Sequence, residues 1–116
     1  MSFQIPKDLQ DKLTRFEQVK AQLQILITQK GEMDAHKREL KEAVKALESR
    51  KDGDVFRRIG DLLVKVDDIN KLLEEMKEEM ETMNARLSSM EKQEKSTKEM
   101  YEKLGSEINE ALKGYK

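Results

Sequence analysis

The 116-residue chain has no cysteine, no tryptophan and a single proline, at position 6. Without cysteine there can be no disulfide and no thiol chemistry, which suits a reducing compartment, and a cytoplasmic location is expected. His36 is the only histidine. With no second histidine or cysteine beside it, neither a zinc-type ligand set nor a nucleophile–base pair can be assembled, and an exposed helical position is expected for it. Neither the Gly-x-x-x-x-Gly-Lys-Ser/Thr loop nor Gly-x-Gly-x-x-Gly occurs, so no nucleotide site is indicated. No apolar run approaches the ~20 residues that span a bilayer. The N-terminal Met1-Ser2-Phe3-Gln4-Ile5-Pro6 lacks a basic region followed by an apolar core, so it does not read as a secretory signal. These absences point away from an enzyme, a cofactor, a metal site and a membrane protein.

What remains is charge. Charged residues make up 41% of the chain and aromatics 4%, with 23 basic against 24 acidic side chains and a net charge of −1. Residues 1–50 hold ten basic and eight acidic side chains, and residues 67–116 hold nine and thirteen. The two halves therefore attract weakly when laid antiparallel. Neither carries the strong positive field that nucleic acid binding needs, and the basic run Lys37, Arg38, Lys41, Lys45, Arg50, Lys51 is interleaved with acids as on a solvated face. So polar a composition suits either disorder or long exposed helices. The spacing of the apolar residues decides for helices.

Pro6 suits a helix start, and Asp8 and Asp11 complement the positive end of a helix dipole. From Leu9 a heptad repeat sets in. Its a sites are Leu9, Phe16, Leu23, Lys30, Lys37 and Val44; its d sites are Lys12, Val19, Leu26, Met33, Leu40 and Leu47. Nine of these twelve are apolar, and Leu13 and Ile27 widen the stripe. A helix is predicted over residues 8–50, about 63 Å at 1.5 Å per residue.

Gly53, between Asp52 and Asp54, breaks it. Two short β-prone runs follow, Val55-Phe56-Arg57-Arg58-Ile59 and Leu62-Leu63-Val64-Lys65-Val66, separated by Gly60-Asp61. Glycine first in a two-residue loop suits a type II′ hairpin turn. The second run also reads as a fully buried strand or a short helical piece. A lone two-stranded hairpin is marginal in water and its edges need cover, so residues 54–66 are the candidate for assembly.

A second helix is predicted over 68–113, capped by Asp67 or Asp68 and stopped at Gly114. Its d sites are Ile69, Met76, Met83, Met90, Thr97, Leu104 and Ala111, and its a sites Leu73, Met80, Leu87, Glu94, Tyr101 and Ile108; eleven of the thirteen are apolar. Folding back at the β segment pairs residues whose numbers sum to about 120: Leu47 with Leu73, Leu40 with Met80, Leu9 with Ala111. The fold expected is a single domain, mainly α: a long antiparallel coiled-coil helical hairpin joined by a short β hairpin.

Lys30 and Lys37 interrupt the first seam opposite Met90 and Met83, where alkyl stems pack while the ammonium groups reach outward. Glu94, opposite Leu26, and Thr97 mark a second weak point. Gly31 and Gly105 each cost a helix about 1 kcal/mol against alanine and read as tolerated defects. Met76, Met80, Met83 and Met90 are expected in the seam, whereas Met100 lies outside it and suits an adaptable surface. Apolar residues gather where the chain ends meet: Phe3, Ile5, Leu9, Leu13 and Phe16 on one side, Ile108, Leu112 and Tyr115 on the other. Two helices cannot bury all of them, so exposed apolar surface suited to a partner protein is expected there.

Taken together, Leu9-Gln10-Asp11-Lys12-Leu13, the hairpin Val55-Phe56-Arg57-Arg58-Ile59-Gly60-Asp61-Leu62-Leu63-Val64 and Met90-Glu91-Lys92-Gln93-Glu94 make nearly the whole chain resemble the prefoldin β-class subunit, particularly its archaeal form. The α class carries a longer β insert. Arg57-Arg58 departs from the small or serine-rich pair that often precedes the glycine. The resemblance implies an ATP-independent co-chaperone without cofactors. It implies assembly with an α-class subunit into an α2β4 hexamer whose coiled coils project from a double β-barrel platform. It also implies non-native clients held at the distal ends and delivered to a group II chaperonin. By matching position, the platform would use Val55, Phe56, Ile59, Leu62, Leu63, Val64 and Val66. The client-facing end would draw on Ile5, Leu9, Leu13, Phe16, Ile108 and Leu112. The alternative is a structural coiled-coil adaptor that binds one specific folded partner.

Overall fold

The computed structural model describes residues 5–114; Phe3 and Tyr115, expected near the chain ends, lie outside them. Four elements follow in order: α1 (Lys7–Ser49), β1 (Phe56–Ile59), β2 (Leu62–Lys65) and α2 (Ile69–Lys113). The architecture is an antiparallel helix hairpin joined by a β hairpin. Two compact units divide it, one of Met1–Gly31 with Ser88–Lys116, the other of Glu32–Leu87.

Local chemistry sets the element boundaries. The Pro6 carbonyl accepts the first amide hydrogen bonds of α1, from Leu9 and Gln10, both at 3.0 Å. Proline is harmless there because the first amides of a helix have no partner in any case. Gly53, at φ 95°, lies in the left-handed region beyond the end of α1, a conformation that only glycine adopts without steric cost. At the start of α2, Asp68 is the capping residue. Its Oδ1 accepts from the Lys71 amide at 3.0 Å and satisfies a donor the helix leaves open.

The seam follows the heptads. Among the described residues the seven buried apolar ones, Leu9, Val19, Val44, Met83, Leu87, Leu104 and Ile108, all occupy predicted a or d sites. Every other a and d site of both helices is half-buried. Met100, outside the series, is exposed, and the Arg15 guanidinium reaches its sulfur at 3.8 Å. Ile27 is exposed, so the stripe widens at Leu13 and not at Ile27.

In the unit that holds the chain ends, Leu9, Val19, Leu104 and Ile108 pack between the first half of α1 and the last half of α2. The rings of Phe16 and Tyr101 stack with centroids 4.7 Å apart and planes 17° from parallel. Lys12 and Glu107 pair across this seam at 3.6 Å. Lys30 behaves differently from the outward-reaching stem expected for it. Its Nζ meets Glu94 Oε2 at 3.1 Å and Glu91 Oε1 at 3.9 Å. In an antiparallel pair each side chain leans toward the N-terminus of its own helix, so these two lean toward each other and meet between their levels.

In the other unit, Val44, Met83 and Leu87 form the buried centre, with Lys77–Glu48 at 3.0 Å and His36–Glu79 at 3.4 Å on the outside. His36 is more than half exposed there, as a helical surface position.

Candidate functional site

The β hairpin turns on Gly60-Asp61. Gly60 has φ 60°, and no non-glycine residue among those described has positive φ, so Asp61 turns with negative φ as type II′ requires. Arg58 Nε donates to the Gly60 carbonyl at 3.1 Å, which ties one of the two unusual arginines to the turn. The ladder pairs Phe56 with Lys65, Arg57 with Val64, Arg58 with Leu63 and Ile59 with Leu62. The Val66 amide continues it to the Val55 carbonyl at 2.8 Å.

Cross-strand partners share a face, and successive residues alternate. One face therefore carries Val55, Ile59, Leu62, Val64 and Val66, with Arg57 as its only charge. The other carries Phe56, Arg58, Leu63 and Lys65. The second run is thus a strand, and within this chain it is covered on neither side: every residue of both strands is exposed. Leu62 and Leu63 reach 68% and 70% exposure, the highest among the large apolar side chains of the described residues. Apolar area removed from water is worth about 25 cal/mol per Å². Asp54 and Lys65 pair at 3.6 Å at the hairpin's root. A groove of about 380 Å³ opens there, with Leu40, Ala43, Leu47, Met76, Val55 and Phe56 among its walls. Of the seven residues expected to assemble, Val55 and Val66 are half-buried and the other five are exposed.

The chain-end residues divide differently. Leu9 and Ile108 are 4% and 7% exposed, held in the seam. In this packing they have almost no surface to offer a client. Their heptad positions, a in both helices, already place them between the helices. Phe16 is half-buried against Tyr101. Ile5 and Leu13 are half-buried, and Leu112 is 44% exposed. Gly105, read as a tolerated defect, lies against a ring across the seam. A Cβ on that residue would come within 3.3 Å of Phe16 Cε2, so its bare backbone makes room for the stacked ring. Gly31 has nothing within 4 Å of the same position.

Among the described residues no group of three His, Cys, Asp or Glu side chains could hold a metal ion, and no helix is long and apolar enough to cross a membrane.

The prefoldin subunit family model matches residues 10–115 of the chain. The chain belongs to that family, as an archaeal-type β-class subunit. A crystal structure of the prefoldin beta subunit from Thermococcus strain KS-1 is similar to it at 34% sequence identity. The similarity covers 94% of this chain and 96% of that one, with a TM-score of 0.79. No curated protein sequence matches. Prefoldin membership carries a non-catalytic role, that of a co-chaperone whose coiled coil holds unfolded protein and which works with α subunits and chaperonins. The exposed hairpin and the polar-coated helix pair are the two parts this prefoldin subunit has for such work.

Proposed function

We propose that this chain is the β subunit of an α2β4 prefoldin hexamer in the cytoplasm that holds non-native proteins without ATP and delivers them to a group II chaperonin. One observation carries the assembly half of this reading: the β hairpin exposes Phe56, Ile59, Leu62, Leu63 and Val64 together in a chain that is otherwise mostly charged surface. A two-stranded hairpin cannot bury both of its faces by itself. Val55, Ile59, Leu62, Val64 and Val66 give it one nearly all-apolar face, suited to the inside of a closed sheet built from several hairpins.

For client holding, the accessible edges of Ile5, Leu13 and Phe16 and the exposed Leu112 make the contact. Leu9 and Ile108 hold the two helices together beneath them. No nucleotide motif is present in the sequence, so the cycle draws on apolar contact and on handover to the chaperonin.

Two measurements test this. Mixing the chain with an α-class subunit should give a hexamer by native mass spectrometry, and a chain that stays monomeric with every α-class partner refutes the assembly. The hexamer should suppress aggregation of a chemically denatured protein with no nucleotide present, and unimpeded aggregation refutes the holding role.

A further inference from the structure

The stretch of α1 from residue 18 to residue 31 differs from the rest of the chain. It contains no Asp or Glu, and its only charged side chains are Lys20 and Lys30, in a protein that is 41% charged. Within it Ile25 and Ile27 are 56% and 51% exposed. Across the seam, in the same compact unit, residues 92–98 carry Lys92, Lys95 and Lys98 with a single acid, Glu94. Glu94 is already engaged by Lys30.

Between these two stretches lies an open groove of about 540 Å³ whose walls include Ile25, Leu26, Lys92, Ser96 and Thr97. Its origin is in the sequence. Where neighbouring d sites of α2 carry Met90 and Leu104, this turn carries the short Thr97, with Ser96 beside it. The seam is underfilled, and Leu26 is left half-buried at the groove. Lys92 stands at its rim. Its neighbours three and four residues away are Ser88, Ser89, Lys95 and Ser96, so no carboxylate of its own helix can reach it. It makes no ion pair among the described residues.

An apolar slot beside an ammonium that makes no ion pair among the described residues, on a surface poor in acids, matches one kind of occupant. We propose that this groove binds an extended client segment in which an apolar side chain lies next to a carboxylate. The apolar side chain rests on Leu26 and Ile25, and the carboxylate meets Lys92. The inference rests on the client-holding reading above and adds to it a second contact, away from the chain ends, with a charge preference.

The test uses the full chain and two labelled synthetic peptides, one alternating leucine with aspartate and one alternating leucine with lysine, read by fluorescence anisotropy. The aspartate peptide should bind about threefold more tightly, as an exposed ion pair allows. Lys92→Glu should abolish or invert that preference. Thr97→Leu, which fills the groove at a d site and keeps the helix, should weaken both peptides. Circular dichroism shows that the variants remain helical. Equal binding of the two peptides overturns the proposal, as does a preference that survives Lys92→Glu or self-association of the chain through this groove in place of peptide binding. If the groove alone is wrong, the hexamer still suppresses aggregation; if client holding itself is wrong, suppression is lost as well.

Discussion

A Cβ on Gly105 would sit 3.3 Å from Cε2 of Phe16, the ring that stacks on Tyr101 across the same seam. The missing side chain on one helix and the aromatic on the other fit together. Gly31, also within a helix, has open space at the equivalent point. The two glycines should therefore answer the same substitution differently. Gly31→Ala should stabilise the protein by about 1 kcal/mol through helix propensity alone. Gly105→Ala should gain distinctly less, or lose stability, because the ring must shift by a few tenths of an ångström. Thermal melts of the two variants decide it, and equal gains would refute the packing role of Gly105.

Leu9 and Ile108 are seam residues, whereas Leu112 is surface. Ile108→Ala should destabilise the protein by about 2 kcal/mol or more, as loss of a buried aliphatic side chain does. Leu112→Ser should leave the melting temperature within a few degrees and reduce suppression of client aggregation. A Leu112→Ser hexamer with full holding activity would remove that residue from the client contact.

The hairpin's apolar surface lies outside the helix seam. Leu63→Asp should leave helicity by circular dichroism unchanged and should abolish or weaken assembly with the α-class subunit, measured by native mass spectrometry. Arg58→Ala should have a smaller effect, through loss of the hydrogen bond to the Gly60 carbonyl at 3.1 Å. An intact hexamer containing Leu63→Asp would exclude this residue from the interface.

Lys30 and Glu94 are 28% and 27% exposed, so both are partly desolvated. Removing Glu94 takes away the shorter of the two contacts and leaves Lys30 with Glu91 at 3.9 Å. Glu94→Leu alone should destabilise the seam, while Lys30→Leu with Glu94→Leu should melt at or above the wild-type temperature, because packed leucines replace a partly buried pair at little or no cost. A double variant less stable than the single one would mean that the two side chains are not coupled. The pair also favours this pairing of helices. Two copies of α1 laid parallel and in register would set Lys30 against Lys30, and two copies of α2 would set Glu94 against Glu94.

The sequence by itself determined the helices, the hairpin and the side each presents. An apolar residue every 3.5 positions can be buried only along one stripe, and every a and d site lies in the seam for that reason. Gly60 ahead of Asp61 specified the turn, because only glycine enters that backbone region without cost. Tertiary structure decided what depended on distance between side chains remote along the chain. The heptad pattern marked Lys30 and Glu94 as two separate flaws, and only their opposed tilt made them a pair. It marked Gly105 as a defect, and only the Phe16 ring gave it a purpose. It grouped Leu9, Ile108 and Leu112 as one apolar end, and only packing separated the two that hold the helices together from the one left facing water. Periodicity records which side of a helix is apolar; how far each side chain reaches, and what it meets there, is settled by the neighbouring helix.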